Sequence, residues 1–76
     1  MVDADVWDAR AKGLLKAELA RKGVTYEHLA EKLREMGVNE TAASIANKIS
    51  RGRFTAVFLL QCLSAVGTRK VEIPEE

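Results

Sequence analysis

Glycines that follow stretches of helical periodicity constrain the fold of this chain more than any other feature. Apolar residues recur at the spacing of one helix face, rather than in the alternation of a strand, almost to the end of the sequence. Each stretch is followed by a glycine, a residue that commonly ends helices: Gly23, Gly37, Gly52 and Gly67. Residues that favour helix caps stand ahead of the later stretches: Thr25, Asn39 or Thr41, and Thr55. The pattern predicts helices at about 6–22, 25–36, 41–51 and 55–66.

The expected core consists of one apolar stripe on each helix. The stripes are Trp7, Ala11, Leu14, Leu15 and Leu19; Leu29, Ala30, Leu33 and Met36; Ala42, Ile45, Ala46 and Ile49; and Phe58, Leu59, Cys62, Leu63 and Val66. A chain of 76 residues supports a single core, so residues 1–76 are predicted to form one compact all-α domain of four helices. The sequence after Gly67 ends in an alternating segment that runs into proline, which predicts a short extended tail. A strand at 70–73 has no partner in a helical chain, so it either pairs with its copy in a second subunit or packs as irregular tail.

Several classes of function are disfavoured by what the sequence contains. Cys62 is the only cysteine and His28 the only histidine, which argues against a disulfide, a metal site and histidine-based catalysis. There is no glycine-rich phosphate loop and no nucleophile motif, so we expect no enzyme, no cofactor and no small-molecule substrate. The longest uninterrupted apolar run, Ala56 to Leu60, is far shorter than the roughly 20 residues of a membrane span. We therefore expect a cytoplasmic protein that does not enter the membrane.

Charge is distributed unevenly along the chain. No acidic residue occurs from Thr41 to Val71, whereas this segment carries five basic residues: Lys48, Arg51, Arg53, Arg69 and Lys70. A local field of this kind, rather than the net charge of +1, is what steers a polyanion. One explanation is a surface that faces phosphates, and the other is that the fourth helix is apolar and contributes no charge of either sign.

The third predicted helix has a polar face that is suited to a DNA groove. Glu40, Ser44, Asn47 and Arg51 lie opposite the apolar Ile45 and Ile49, with Ala43 and Lys48 at the flanks. Small and amide side chains allow close approach to base edges, so Ser44 and Asn47 are candidates for base reading. The Glu40 carboxylate would be repelled by phosphates unless it accepts from a cytosine amine or lies in the turn away from DNA. A solvated polar face is the alternative interpretation of the same pattern.

Lys48, Arg51 and Arg53 are the candidates for phosphate contact, because they cluster at the exit of this helix. The free N–H groups at Thr25, where the second helix begins, are a secondary candidate for an anion site.

The order TYEHLA, GVNETAASIANKISRGR resembles the phage-repressor-like helix-turn-helix of the Cro and xenobiotic-response-element type. The matching residues are Thr25, Leu29, Ala30, Gly37, Val38, Ile49, Arg51 and Gly52, and the likeness extends over about Leu14 to Gly67. It implies a helix-turn-helix domain whose third helix is the recognition helix. Tyr26 stands where the family usually has a phosphate-contacting glutamine, which implies a phosphate contact through the tyrosine hydroxyl. Two departures from the family pattern are a helix 2 lengthened by Arg34, Glu35 and Met36, and a longer interval from Val38 to Ile49.

A second resemblance is more specific in its residues. The segment NKISRGRFTAVFLLQCL is similar to the signature N-K-I-S-R-G-x-F of a small bacterial domain family of unknown function, which implies nothing about activity.

Two hypotheses for function follow. The first is a DNA-binding helix-turn-helix protein, a transcriptional regulator that contacts double-stranded DNA as a homodimer. The alternative is a protein-interaction or dimerisation module on the same scaffold without DNA binding. Its support is apolar surface that lies off the core stripes, at Val57 and Leu60 of the fourth helix and at Val71 and Ile73 of the tail. These four residues are the predicted dimer interface, although helix 1 could instead cover Val57 and Leu60 within one chain.

Overall fold

Four α-helices make up the fold in a computed structural model, which describes residues 4–73 apart from the side chain of Ala4. The helices are α1 (Ala4–Lys22), α2 (Tyr26–Glu35), α3 (Ala42–Arg51) and α4 (Ala56–Ala65). The predicted all-α fold is confirmed, and each helix lies within one or two residues of its expected bounds.

Threonines begin the last three helices, as the sequence predicts. The side-chain oxygens of Thr25, Thr41 and Thr55 each accept a hydrogen bond of 3.0 to 3.1 Å from the N–H three residues on. Thr41, rather than Asn39, is therefore the cap of α3. These bonds satisfy backbone donors that the first helical turn leaves without partners, which fixes where each helix starts.

The core is formed by all four helices. Its buried residues are Leu15, Leu19, Leu29, Ala30, Leu33, Ile45, Ile49, Phe58, Cys62, Leu63 and Val66. Both α1 and α2 pack against α3 and against α4, whereas the backbones of α3 and α4 do not contact each other. Side chains nevertheless bridge the two helices, since Lys48 Nζ of α3 lies 4.8 Å from the centre of the Phe58 ring of α4.

Two residues expected in the core are exposed. Trp7 is 53% exposed because it lies at the edge of a groove beside the C-terminal residues, where the Arg10 guanidinium stacks 4.7 Å from the ring centre. Met36 is 45% exposed because α2 ends at Glu35, so the side chain of this capping residue leaves the helical stripe. Periodicity alone therefore assigned one residue too many to the buried face of α1 and of α2.

A hydrogen bond of Thr68 holds the start of the segment after α4 against α1, and residues 68–73 form no strand. Thr68 Oγ1 donates to Glu18 Oε1 over 2.8 Å, and Arg21 donates to the same carboxylate. Hydrogen bonds from Arg21 and Thr68 lower the pKa of Glu18. Residues 68–73 have no regular secondary structure, so in the single chain the segment 70–73 takes the irregular form, which is one of the two predicted alternatives. No helix within residues 4–73 has the length and apolarity that a membrane span requires.

Candidate nucleic-acid interface

A reciprocal pair of hydrogen bonds fixes the N-terminal end of α3. The Ser44 N–H donates to Thr41 Oγ1 and the Thr41 N–H donates to Ser44 Oγ, each over 3.0 Å. This is a capping box in which serine takes the position that glutamate or glutamine usually occupies. The Ser44 hydroxyl also donates to Glu40 Oε1 over 2.6 Å. The polar groups of Ser44 are therefore already engaged within the chain.

Glu40 lies in the turn before α3 and forms an ion pair with Lys48. Lys48 Nζ is 2.5 Å from Glu40 Oε2 and 4.8 Å from the centre of the Phe58 ring. Burial of the Glu40 carboxyl opposes its ionisation, but the hydrogen bonds from Lys48 and Ser44 outweigh burial and hold the pKa below its usual value. The negative charge of Glu40 and the positive charge of Lys48 therefore offset each other.

The lowered pKa of Glu40 predicts a stability that depends on pH. A carboxyl whose pKa is lower in the folded than in the unfolded chain stabilises above the ordinary value of 4.5, and this contribution disappears as pH falls through the folded pKa. We expect Glu40→Gln to lower the free energy of unfolding by about 1 kcal/mol at neutral pH, because one partner of a partly buried pair is lost. Urea unfolding of both proteins should show the difference shrinking below pH 4.5.

Glu31→Gln is the matched control, since Glu31 is exposed on α2. Its effect should stay within about 0.5 kcal/mol at neutral pH. A Glu40→Gln deficit of the same size at acidic and neutral pH would show that the ion pair does not stabilise α3.

The C-terminal end of α3 is held by α1. Lys12 Nζ donates to the Ser50 carbonyl oxygen over 3.2 Å, where a cation suits the negative end of the helix dipole. One turn earlier in α1, Asp8 Oδ2 accepts from Arg53 Nε over 2.7 Å. Between these contacts lies buried Gly52, so close to α1 that an added methyl group would come 2.4 Å from the Asp8 carbonyl oxygen. Three contacts with α1 therefore fix where α3 ends.

The outward face of α3 carries four exposed residues, which we call the α3 ridge: Ala43, Asn47, Ser50 and Arg51. Asn47 and Arg51 lie one turn apart, opposite buried Ile45 and Ile49. Neither the Asn47 nor the Arg51 side chain forms a hydrogen bond or an ion pair with any residue in the range 4–73. The ridge thus combines a small residue, an amide and a guanidinium, all open to solvent, on a helix that is fixed at both ends.

The predicted contact residues divide into engaged and free groups. The side chains of Ser44, Lys48 and Arg53 each form a hydrogen bond or ion pair with an acidic side chain. The Thr25 hydroxyl caps α2. Tyr26 packs its ring partly against the core. The side chains of Asn47 and Arg51 remain free of partners in the described part of the chain, 4–73. Sequence periodicity did place Asn47 and Arg51 on one face, but it gave no sign that Lys48 and Arg53 are paired.

The segment from Thr41 to Val71, which contains no acidic residue, therefore presents less positive charge in the folded structure than its sequence indicates. Asp8 and Glu40 lie outside it and neutralise two of its five cations. Asp8 is 45 residues from Arg53 in the chain, and no local pattern marks the pair. Asp8 and Lys12 are the residues at this site that sequence reasoning missed.

A family model described as "Domain of unknown function (DUF6471)" matches residues 7–71, which include α2, α3 and α4 entirely. No curated protein and no solved structure gives a significant match to the chain.

Proposed function

The chain belongs to this DUF6471 family of domains of unknown function, and we propose that it is a DNA-binding helix-turn-helix protein that acts as a transcriptional regulator. In this proposal α2 and α3 form the helix-turn-helix, and the α3 ridge enters the major groove of double-stranded DNA. The observation that carries the proposal is the pair Asn47 and Arg51, whose exposed side chains have no partner within residues 4–73, on a helix whose two ends are held by other residues.

The chemistry of the ridge supports this role. An asparagine amide can form two hydrogen bonds with adenine, and an arginine can form two with guanine or bind a phosphate. Ala43, one turn before Asn47, adds little bulk where a recognition helix approaches the base edges. The ion pair of Glu40 with Lys48 also removes the main electrostatic objection, because the carboxylate near the start of α3 is offset.

Phosphate contact is proposed chiefly for Arg51. Lys48 and Arg53 keep their charge, but each already has a carboxylate partner and so adds less to the attraction of a polyanion than a free cation would. The N-terminus of α2 adds a second candidate anion site, where Thr25 caps the helix and Tyr26 is its first residue. The proposal implies a cytoplasmic location, where the DNA is.

Binding of a labelled random-sequence duplex, followed by fluorescence anisotropy at about 50 and 200 mM salt, tests the proposal. The intact chain should bind with a Kd on the order of 10⁻⁴ to 10⁻⁶ M, and more weakly at the higher salt. Arg51→Ala should weaken binding to all sequences and reduce the slope of log K against log salt by roughly 1. Asn47→Ala should change affinity less for random DNA and more for any preferred sequence, by about 1–3 kcal/mol.

Lys16→Ala is the matched control for charge, because Lys16 is an exposed cation of α1. It should leave the salt slope close to that of the intact chain. Absence of binding near 50 mM salt, or equal losses for Arg51→Ala and Lys16→Ala, would refute DNA binding through α3.

The alternative function, a protein-interaction module without DNA binding, is favoured by one observation. Val57, Leu60, Val71 and Ile73 are all exposed, and α1 does not cover the two residues of α4. The two functions are compatible, because these four apolar residues lie on α4 and on the residues after it, whereas the α3 ridge lies on α3.

A further inference from the structure

The residues after Thr68, which we call the tail (69–73), have backbone groups without partners. The Thr68 N–H donates to the Leu63 carbonyl oxygen and closes α4, but no hydrogen bond within residues 4–73 involves the tail. An exposed run of unpaired N–H and C=O groups is a template for pairing with another chain.

Apolar side chains of the tail lie over a groove between α1 and α4. Val71 and Ile73 line this groove, of about 250 Å³, together with Trp7, Leu14 and Leu59. Val71 is 40% exposed and Ile73 is 73% exposed, so the groove is covered incompletely. The apolar surface continues along α4, since Val71 also adjoins Leu60.

We propose that the tail pairs in antiparallel orientation with the tail of a second copy of this chain, around a two-fold axis at Val71. Two-fold antiparallel pairing places one residue opposite its own copy. With Val71 in that position, Lys70 lies opposite Glu72 of the second copy, and Glu72 lies opposite its Lys70. Pairing centred on Lys70 or on Glu72 would instead set like charges opposite each other, which destabilises a strand pair.

The charge pattern of the tail indicates that its pairing partner is a second copy of this chain. The sequence Lys70-Val71-Glu72 is complementary to itself in antiparallel orientation, so one pairing satisfies both charges of both chains. Alternate residues of an extended segment point to opposite sides, so the two ion pairs lie on one face and Val71 lies on the other. Val71 then faces the apolar surface of each copy.

The size of the surface sets the expected strength of the dimer. Trp7, Leu60, Val71 and Ile73 together expose apolar area on the order of several hundred Å², which is comparable to the largest patch on a typical monomer. A standard interface buries about 800 Å² per partner, so a weak dimer with a Kd in the micromolar range is expected. No residue of the α3 ridge lines the groove under the tail or the surface beside Leu60, and the pairing does not depend on DNA binding.

Analytical ultracentrifugation without DNA, from about 1 μM to 1 mM chain, tests the pairing. The intact chain should dimerise across this range. Lys70→Glu and Glu72→Lys, taken singly, place like charges opposite each other twice per dimer and should each raise the dissociation constant about tenfold. The double variant Lys70→Glu, Glu72→Lys exchanges the charges and should restore dimerisation to within about threefold of the intact chain.

Val71→Lys should give a monomer, because it places two cations at the axis. Met36→Lys is its matched control, since Met36 is an exposed apolar residue at the end of α2, and it should leave the dissociation constant unchanged. Circular dichroism of each variant verifies that the helices are intact. The proposal is overturned if the intact chain stays monomeric to about 1 mM, if the double variant is no tighter than the single ones, or if Val71→Lys dimerises like Met36→Lys.

Discussion

Gly52→Ala is expected to reduce the free energy of unfolding by at least about 3 kcal/mol, through two effects that act together. Gly52 has φ +70, a left-handed conformation that costs an L-residue roughly 1–2 kcal/mol. The added methyl group would also lie 2.4 Å from the Asp8 carbonyl oxygen and 2.9 Å from the Asp8 carbonyl carbon. These are backbone atoms, so no side-chain rotation relieves the overlap, and α1 has to move away from the end of α3.

Gly23→Ala separates the two effects. Gly23 has nearly the same conformation, φ +67, but no atom lies within 4 Å of the position its methyl group would take. Only the conformational cost applies there, so we expect a loss of about 1–2 kcal/mol. Chemical denaturation of both variants measures the difference, and equal losses would mean that the packing of Gly52 on Asp8 does not contribute to stability.

Leu63→Ala is expected to destabilise the fold by about 2–4 kcal/mol, because it opens a cavity in the core. Leu63 is 7% exposed and belongs to the buried cluster, whereas Leu60, one turn earlier in the same helix, is 66% exposed. Leu60→Ala removes the same atoms and changes the intrinsic helix propensity by the same amount as Leu63→Ala. It should alter the free energy of unfolding by no more than about 0.5 kcal/mol.

Protein concentration is kept at about 1 μM in this comparison so that self-association does not add to the stability of either variant. A large loss for Leu60→Ala under these conditions would mean that a neighbouring element covers the outer face of α4 within the single chain.

The helices were predictable because their signals are local. A threonine cap, a periodic apolar stripe and a glycine lie within one short stretch of chain, and the caps at Thr25, Thr41 and Thr55 are found as expected. The exposed Trp7 and Met36 lie near helix ends, where the apolar periodicity continues beyond the part of the helix that the buried core covers. The segment 70–73 was left with two alternatives for a similar reason, since alternation predicts an extended segment but does not identify a partner for it.

The candidate site was predictable only in part. Helical geometry placed Asn47 and Arg51 on one exposed face, and the structure shows them there. The partners of Lys48 and Arg53 could not be inferred, because Asp8 and Glu40 reach these cations through the packing of α1 and of the turn before α3. That Gly52 contacts Asp8 also depends on the separation of two helices, which no local pattern encodes.

The way α3 is held has a consequence for how its surface can evolve. Glu40 fixes one end of the helix, Asp8 and Lys12 fix the other, and none of these residues belongs to the α3 ridge. Substitutions at Asn47 or Arg51 therefore remove no side-chain hydrogen bond or ion pair within residues 4–73. Under the proposed function, these two positions can diverge among related chains without compensating changes elsewhere, and a restriction on their residues would come from the DNA.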